Sequence, residues 1–351
     1  MLAIVCRGEK HIADFAKIVP FVPYLRTPNK EALIWATDKI EMRKRLTAYN
    51  KQLSPAHIVV EDAKETTIKK IKEKISFPLM VKPASLAGSL LVSICHNEAE
   101  LKKNLTHIFR RIEAVYKENK RQEKPKVLVE QFMKGEMYSI DAYVDSRGRA
   151  TFCPLVEVMT GRAMGFTDFF GYRQLTPTLL SATEITKAEE ASRQAIAALG
   201  ARSTTVHIEL IKDKTKGWRI IELGSRLGGF RHDLYKLSYG INHSLNDVLV
   251  RVPKPVVVPK KRKAYALALN LYPQKEGVLK TIQGAKEVEA LSSFVRFDYK
   301  KKIGDYCRFA SKGGKSVVNV YMSHKDRAKL LADVTILEEK FKLITTRSSK
   351  I

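Results

Sequence analysis

Long apolar runs are missing from this chain of 351 residues, and none approaches the roughly 20 residues that a membrane-spanning helix needs. The start, MLAIVCRGEKHIADF, has too short an apolar core for a secretory signal and turns acidic at once, so the chain reads as cytoplasmic with no membrane partner. Cysteine is scarce. Cys6, Cys95, Cys153 and Cys307 lie far apart with no CxxC and no Cys/His cluster, which argues against structural zinc and for reduced, packed thiols. Internal repeats, low-complexity tracts and aromatic-rich RNA-binding signatures are absent. Acids are outnumbered, with 63 Lys and Arg against 37 Asp and Glu and a net charge of +26. That balance invites a polyanion-binding reading, which predicts tight nucleic-acid binding with a steep salt slope. The lysines are spread through helix faces and loops, however, and the densest run, PKKRK at Pro259–Lys263, is short. Nucleic acid is therefore the lesser reading, and attraction of anionic substrates is the more modest use of the charge.

A hydrophobic content of 44% is that of a globular chain, long enough for two or three units with their own cores. LAIVC (2–6) reads as a short strand and HIADFAKIV as a short helix, with no Gly-rich fingerprint between them. In TDKIEMRKRL, Asp38 and Glu41 have capping-box spacing, as do Asn97 and Glu100 further on. Strands are expected at 79–81 and 90–94, joined by a small-residue loop at 84–89 able to curl amides around phosphate. Leu101, Leu105, Ile108, Ile112 and Val115 recur at spacings of three and four and mark an amphipathic helix. VLVEQFM and ATFCPLVEVM read as strands, GRAMGFTDFFGYRQLTPT as a loop over a site, and 181–199 as a helix stopped by Gly200. PKPVVVPKKRK is the best domain boundary; strands AYALALNLY, GVLKTI and SVVNVYM and a helix at 324–343 follow it.

The centre of the reading is TTVHIELIKDKTKGWRIIELGSRLGGF, two apolar runs joined by a polar tip, which is a β-hairpin pattern. Folded symmetrically about 214–217, it sets Asp213 against Trp218, Lys212 against Arg219, and Glu209 against Glu222. Like charges directly opposed are destabilising. Either both point to solvent from an exposed face, or a cation sits between them; Mg²⁺ (or Mn²⁺), which takes one or two carboxylates plus phosphates, meets that need. Arg226 and the glycines of GSRLGGF follow at once, residue types suited to a backbone passing close to phosphoryl oxygens. Taken alone, Lys39 reads as a helix-surface lysine and His207 as a satisfied sheet histidine.

In order, FPLMVKP…AGS, VLVEQFMKGE and HIELI…WRIIELGSRLGG resemble the ATP-grasp carboxylate–amine ligases, in the branch of L-amino-acid ligases and biotin carboxylase, from about Thr37 to Val250. The last hundred residues resemble that branch's C-terminal domain less specifically. The resemblance implies an α/β (α+β) fold in which two α+β subdomains grip a nucleotide. Its parts would be a remnant N-terminal α/β segment (1–36), an ATP-grasp domain (37–252, with a small lid at about 76–135 and a metal-binding part at 136–252) and a mostly β C-terminal domain (262–351). It assigns Lys39 and Lys82 to the ATP phosphates and Gly88 and Ser89 to a phosphate-covering loop. Glu130, Gln131 and Met133 fall on the hinge at adenine, Glu136 at the ribose, and Glu209 and Glu222 at magnesium. Arg226, with Lys82, would face the transferred phosphate, and Arg162, Asp168, Arg173 and Arg231 would shape the substrate pocket. The implied reaction activates a carboxylate as an acyl phosphate with ATP and passes it to an amine, releasing ADP and phosphate.

Two departures from the family pattern matter. Gly224 stands where the family usually has a metal-contacting asparagine, and only about 36 residues precede Thr37 where the family has a whole α/β domain. The second leaves three readings: a shortened form, a wall borrowed from a second copy or partner chain, or an impaired nucleotide-binding relic.

Overall fold

The structure, a computed structural model, describes residues 3–86, 90–119, 124–166, 169–252 and 254–346. Helices α1 (Ile12–Ile18), α2 (Lys30–Thr37) and α3 (Lys39–Tyr49) lead into a small antiparallel sheet. The expected strand at LAIVC does not form among its described residues 3–6; Ile4 and Cys6 instead pack on Ile12, Phe15 and Leu33. Asp38 caps α3 by accepting from the amides of Ile40 (2.8 Å) and Glu41 (3.3 Å), so the sequence signal fixes where Lys39 begins its helix.

The small sheet runs β1 (His57–Val60), β4 (Val127–Gln131), β2 (Leu79–Pro83), β3 (Ser93–Cys95), with α4 (Glu65–Lys74) and α5 (Glu98–Glu118) on one face. All five apolar positions read from the α5 periodicity are buried there, each worth roughly 1.5–3 kcal/mol. The strand expected at 90–94 is shorter and later, because Leu79, Met80 and Val81 pair with Cys95, Ile94 and Ser93. Strand alternation does the rest. Leu79, Val81, Val127 and Val129 go to the helices, which turns Met80, Lys82, Leu128 and Glu130 to the other face.

The large sheet runs β10-β9-β5-β7-β8-β11-β15-β13, with β6 (Ala150–Phe152) beside β5. Its members are β5 (Gly135–Val144), β7 (Val156–Thr160), β8 (Gly171–Thr176), β9 (Thr204–Asp213), β10 (Gly217–Gly224), β11 (Tyr265–Leu271), β13 (Phe294–Tyr299) and β15 (Val318–His324). Pro154 splits ATFCPLVEVM into β6 and β7, as a residue without an amide proton must. The stretch expected as a loop at 161–178 contains a 3-10 turn (Gly161–Met164) and then β8. Its polar residues hid the strand. Thr176 Oγ1 donates to the Leu155 carbonyl (2.8 Å) and Gln174 accepts from Arg231, so both are satisfied inside the sheet. Beneath one face lies α6 (Ala182–Ala198), packed on Ile140, Ile208, Leu210, Ile220 and Leu223. Helices α7 (Arg231–Tyr239) and α8 (His243–Leu249) cover part of the other. A three-stranded sheet of β14 (Tyr306–Cys307), β12 (Gly277–Gln283) and β16 (Lys342–Thr346), with α9 (Ala285–Glu289) and α10 (Arg327–Lys340), completes the C-terminal part.

The central hairpin is paired differently from the symmetric reading at its tip. Asp213 faces Gly217 and Lys212 faces Trp218, one residue off, because the tip holds three residues. Asp213 Oδ1 accepts from the Thr215 and Lys216 amides, and Gly217 takes a left-handed φ of 72° that a side chain would resist. A β-bulge at Ile221 then restores the count, so Glu222 falls opposite Glu209 as expected. Were the pairing to run on regularly through Ile221, Glu222 would face Ile208, in the core above α6. Deleting Ile221 would remove the bulge yet bring Glu222 straight back opposite Glu209, so it should cost only about 1–3 kcal/mol, the bulge carbonyl's contact to Arg43 being lost. Ile221→Ala should lose about 1 kcal/mol. Urea denaturation of the two variants checks this, and a loss beyond about 5 kcal/mol on deletion would show that Glu222 had been turned into the core.

Candidate active site

Between the face of the small sheet turned away from its helices and the α7 face of the large one lies a cleft of about 690 Å³, within the range of small-molecule sites. Lys39, Lys82, Gln131, Met133, Glu136, Arg162, Glu209 and Glu222 all line it, together with Glu130. Gly88, Ser89 and Asp168 lie outside the described residues. Arg173 does not line the cleft; it sits on β8 opposite Met159, its side chain on the other face from Gln174.

Glu209 and Glu222 share the cleft face, with 34% and 24% of their side chains open. Lys39 Nζ stands 3.3 Å from Glu222 Oε2 and donates to the Leu86 carbonyl at 2.9 Å. Burial alone would raise the Glu209 carboxyl, but the hydrogen bond and charge of His207, with Arg226 and Arg231 nearby, hold it below the usual range. Among the described residues no group of three or more His, Cys, Asp or Glu side chains is placed to hold a metal ion. Two carboxylates facing open space fit a hard cation whose other ligands are water and phosphate, and do not make an all-protein cage.

His207, read as a plain sheet histidine, belongs to a buried chain of contacts. Its Nε2 stands 3.6 Å from Glu209 Oε1 while its Nδ1 meets Asp141 Oδ1 at 2.7 Å. Asp141 also meets His243 Nε2 at 2.9 Å and accepts from the Gly228 amide at 2.8 Å. Burial would raise Asp141, but the two histidines hold it ionised, far below the ordinary carboxylate range. Although burial disfavours its charge, His207 is raised by Asp141 and Glu209. This line fixes the ring, and through it the carboxylate of β9. Asp141 carried no signal beyond alternation in SIDAYV, since its partners lie 66 and 102 residues away.

Arg226 is not free in the cleft. Its Nε pairs with Glu9, and it donates from Nη1 to the Leu227 carbonyl at 3.0 Å. Burial would lower its pKa, yet Glu9, with Glu222 and Glu209 behind it, raises it. Gly224 pairs with His207, and a Cβ there would meet the Arg226 side chain at an ordinary 3.7 Å. Arg231 is buried and donates to Gln174 Oε1 (2.5 Å), Ser139 Oγ (2.5 Å) and the Gly229 carbonyl (3.0 Å), so it ties β5 to β8. Arg162 stacks over Phe169 at 5.6 Å.

Glu130 has a role the sequence did not reveal. Its carboxylate bridges Arg43 Nε (2.5 Å) and Lys82 Nζ (2.6 Å), all three side chains being buried. Although burial works against it, the two cations bring Glu130 down to about 2. Burial and the neighbouring Arg43 and Lys39 push Lys82 down, with only Glu130 opposing them. Arg43 also donates to the carbonyls of Ile220 (3.1 Å) and Ile221 (2.7 Å), the bulge itself. One residue thus clamps the hinge strand to the hairpin that carries Glu222. A signal existed: Arg43 sits in the apolar stripe Ile40–Leu46, one turn from Lys39. At the hinge, the Gln131 and Phe132 amides already donate to Ala56 (2.9 Å) and Pro78 (3.0 Å) carbonyls. Glu136 accepts from Tyr138 OH at 2.9 Å, and a Cβ on its neighbour Gly135 would collide with the Lys212 carbonyl, which explains the glycine.

A family model described as an ATP-grasp domain matches residues 75–233. An uncharacterized protein of Sinorhizobium fredii is 24% identical over 296 residues, 80% of this chain, which spans only 56% of that protein's length. A D-alanine–D-alanine ligase of Staphylococcus epidermidis is 41% identical over 49 residues, 14% of each chain. Among solved structures, the L-amino acid ligase of Bacillus licheniformis superposes with a TM-score of 0.83 at 18% identity, over 97% of this chain and 80% of that one. The biotin carboxylase domain of Hydrogenobacter thermophilus 2-oxoglutarate carboxylase, solved with MgADP and bicarbonate, gives 0.67 at 14% identity, over 94% and 72%. No helix among the described residues is long and apolar enough to cross a membrane. The chain therefore contains an ATP-grasp domain over residues 75–233, set within an ATP-grasp fold of helices and antiparallel sheets.

Proposed function

We propose that the protein is an ATP- and Mg²⁺-dependent ligase that activates a carboxylate as an acyl phosphate and joins it to an amine, with amino acids as the first substrates to try. The observation that carries this reading is the opposition of Glu209 and Glu222 on the cleft face, with Lys39 3.3 Å from one of them. The resemblance to ligases of this kind supports it. In this reading residues 37–252 are the ATP-grasp unit, 76–135 its lid, and 262–351 a C-terminal unit.

A magnesium ion held by the two carboxylates would neutralise phosphate charge and orient the triphosphate. The chain's own groups do the remainder. Lys39 and Lys82 supply positive charge beside the phosphates. Met133 and the hinge backbone bound the adenine, and Glu136 accepts from the ribose hydroxyls. Arg226, held against Glu9 with Glu222 and Glu209 behind it, is the cation this reading sets nearest the transferred phosphoryl group. Phosphoryl transfer asks for positioning and charge neutralisation and little covalent protein chemistry, which is what this cleft offers.

Incubation with ATP, Mg²⁺ and pairs of amino acids, read as ADP release and as new amide product by mass spectrometry, is the test. ADP release that needs both a carboxylate and an amine is the expected result. Nucleotide binding without turnover on any pair would favour the impaired relic instead.

A further inference from the structure

A second cleft, of about 920 Å³, opens on the other side of Gln131 from the first and is lined with cations. Lys51, Lys74, Lys216, His57 and Arg219 surround it, and no carboxylate is among its lining residues. Elsewhere in this protein lysines and arginines find acids readily: Lys44 meets Glu41, Lys72 meets Glu98 and Lys187 meets Glu184. Among the described residues Lys51, Lys74, Lys216 and Arg219 have no side-chain ion pair; the Lys216 ammonium donates to Gln131 Oε1, at 3.2 Å, while its backbone amide goes to Asp213.

Arg219 is the second and independent sign. It is 4% exposed and comes from the floor of the cleft on β10, where a guanidinium is expensive to desolvate. One of its nitrogens donates to the Ser54 carbonyl at 2.8 Å, and its Nε has no partner at all. A buried guanidinium with an unpartnered Nε, on which Asp213 and Glu130 act without forming an ion pair, faces a cleft whose other polar groups are lysines, a histidine, Gln52, Gln131 and the hydroxyls of Thr47, Ser54 and Thr215. It is built to receive an anion.

We propose that this rear cleft is a binding site for a small phosphate-bearing anion, separate from the cleft of Glu209 and Glu222. The ligand class follows from charge and room. Three lysines and an arginine exceed what a single carboxylate neutralises, whereas a phosphomonoester offsets about two of the four charges and a diphosphate most of them. The volume exceeds that of a bare phosphate, and Pro55, Ala56 and Ile75 provide apolar wall for an organic remainder. Its occupant thereby gives part of the surplus of 26 positive charges a use that the first cleft does not.

Calorimetric titration of the full chain with inorganic pyrophosphate tests the site. The expected result is one saturable class of binding that survives Lys39→Ala in the first cleft. It should weaken tenfold or more in the double variant Lys51→Glu/Lys216→Glu, whose altered side chains are exposed and whose melting temperature should hold. Arg219→Gln should weaken it as well. Absence of saturable binding, binding unchanged in the double variant, or binding lost with Lys39→Ala would overturn the proposal. So would a single-stranded oligonucleotide binding there with a steep salt slope while pyrophosphate does not. Because the readout is anion binding without magnesium or turnover, these outcomes are independent of whether the chain is a ligase.

Discussion

Glu222→Gln should lower magnesium-dependent ADP formation by on the order of 10²–10³-fold, with kcat carrying most of the loss. The substitution keeps volume and hydrogen-bonding reach but removes one of the two charges that face the cleft. Lys39, 3.3 Å away, would then point its ammonium at a neutral amide, so the cleft gains net positive charge. ATP itself should still bind, held by lysines and hinge, and the deficit should shrink when Mn²⁺ replaces Mg²⁺ at high concentration. Glu209→Gln should behave alike, with a further loss of the His207 contact. The fold should not notice either change, because about a quarter to a third of each side chain is already open. Turnover by Glu222→Gln at the rate of the unaltered protein would remove the metal site and the reaction derived from it.

What the sequence disclosed and what it hid divide along the range of the interactions. Caps, the α5 stripe and the opposition of two glutamates are local or period-bound, so they could be counted along the chain. Even so, the hairpin reading reached the right glutamate pair by two errors that cancel: a tip taken one residue too long and a bulge not foreseen. Nothing in WRIIEL marks Ile221 as the extra residue. It is the Arg43 guanidinium, 178 residues away in sequence, that holds the bulge carbonyl. The resemblance gives Glu130 a place through its backbone, while its side chain neutralises two cations from other elements. β8 is hidden in the sequence because its polar residues find partners only in the folded sheet, Thr176 at the Leu155 carbonyl and Gln174 at Arg231 of α7. Buried charge is thus the part of this site that a linear reading cannot see. A charged letter in a strand is silent about whether its partner lies across the sheet or across the solvent.

The same triad gives the largest expected loss of stability. Glu130→Gln leaves Arg43 and Lys82 buried with no counter-charge, and breaking a buried ion pair in this way costs about 3–5 kcal/mol. Chemical denaturation at neutral pH should show that loss. Removing all three charges together, as Arg43→Met/Lys82→Met/Glu130→Leu, should recover much of it, since the penalty comes from the stranded cations and not from the missing bridge. Loss of the cleft's phosphate contacts would make that triple variant inactive while stable, which separates the two roles of Lys82. The pH dependence follows from the sign of the shift. Folded Glu130 holds its proton only below about 2, against 4.5 for the free side chain, so the folded state binds fewer protons between those values. Its stabilisation is complete above pH 4.5 and drains away as pH falls toward 2. The difference in unfolding free energy between the unaltered protein and Glu130→Gln should therefore narrow steadily through that window. A difference below 1 kcal/mol at neutral pH, or one independent of pH on acidification, would mean that the hinge is held by something other than this buried charge.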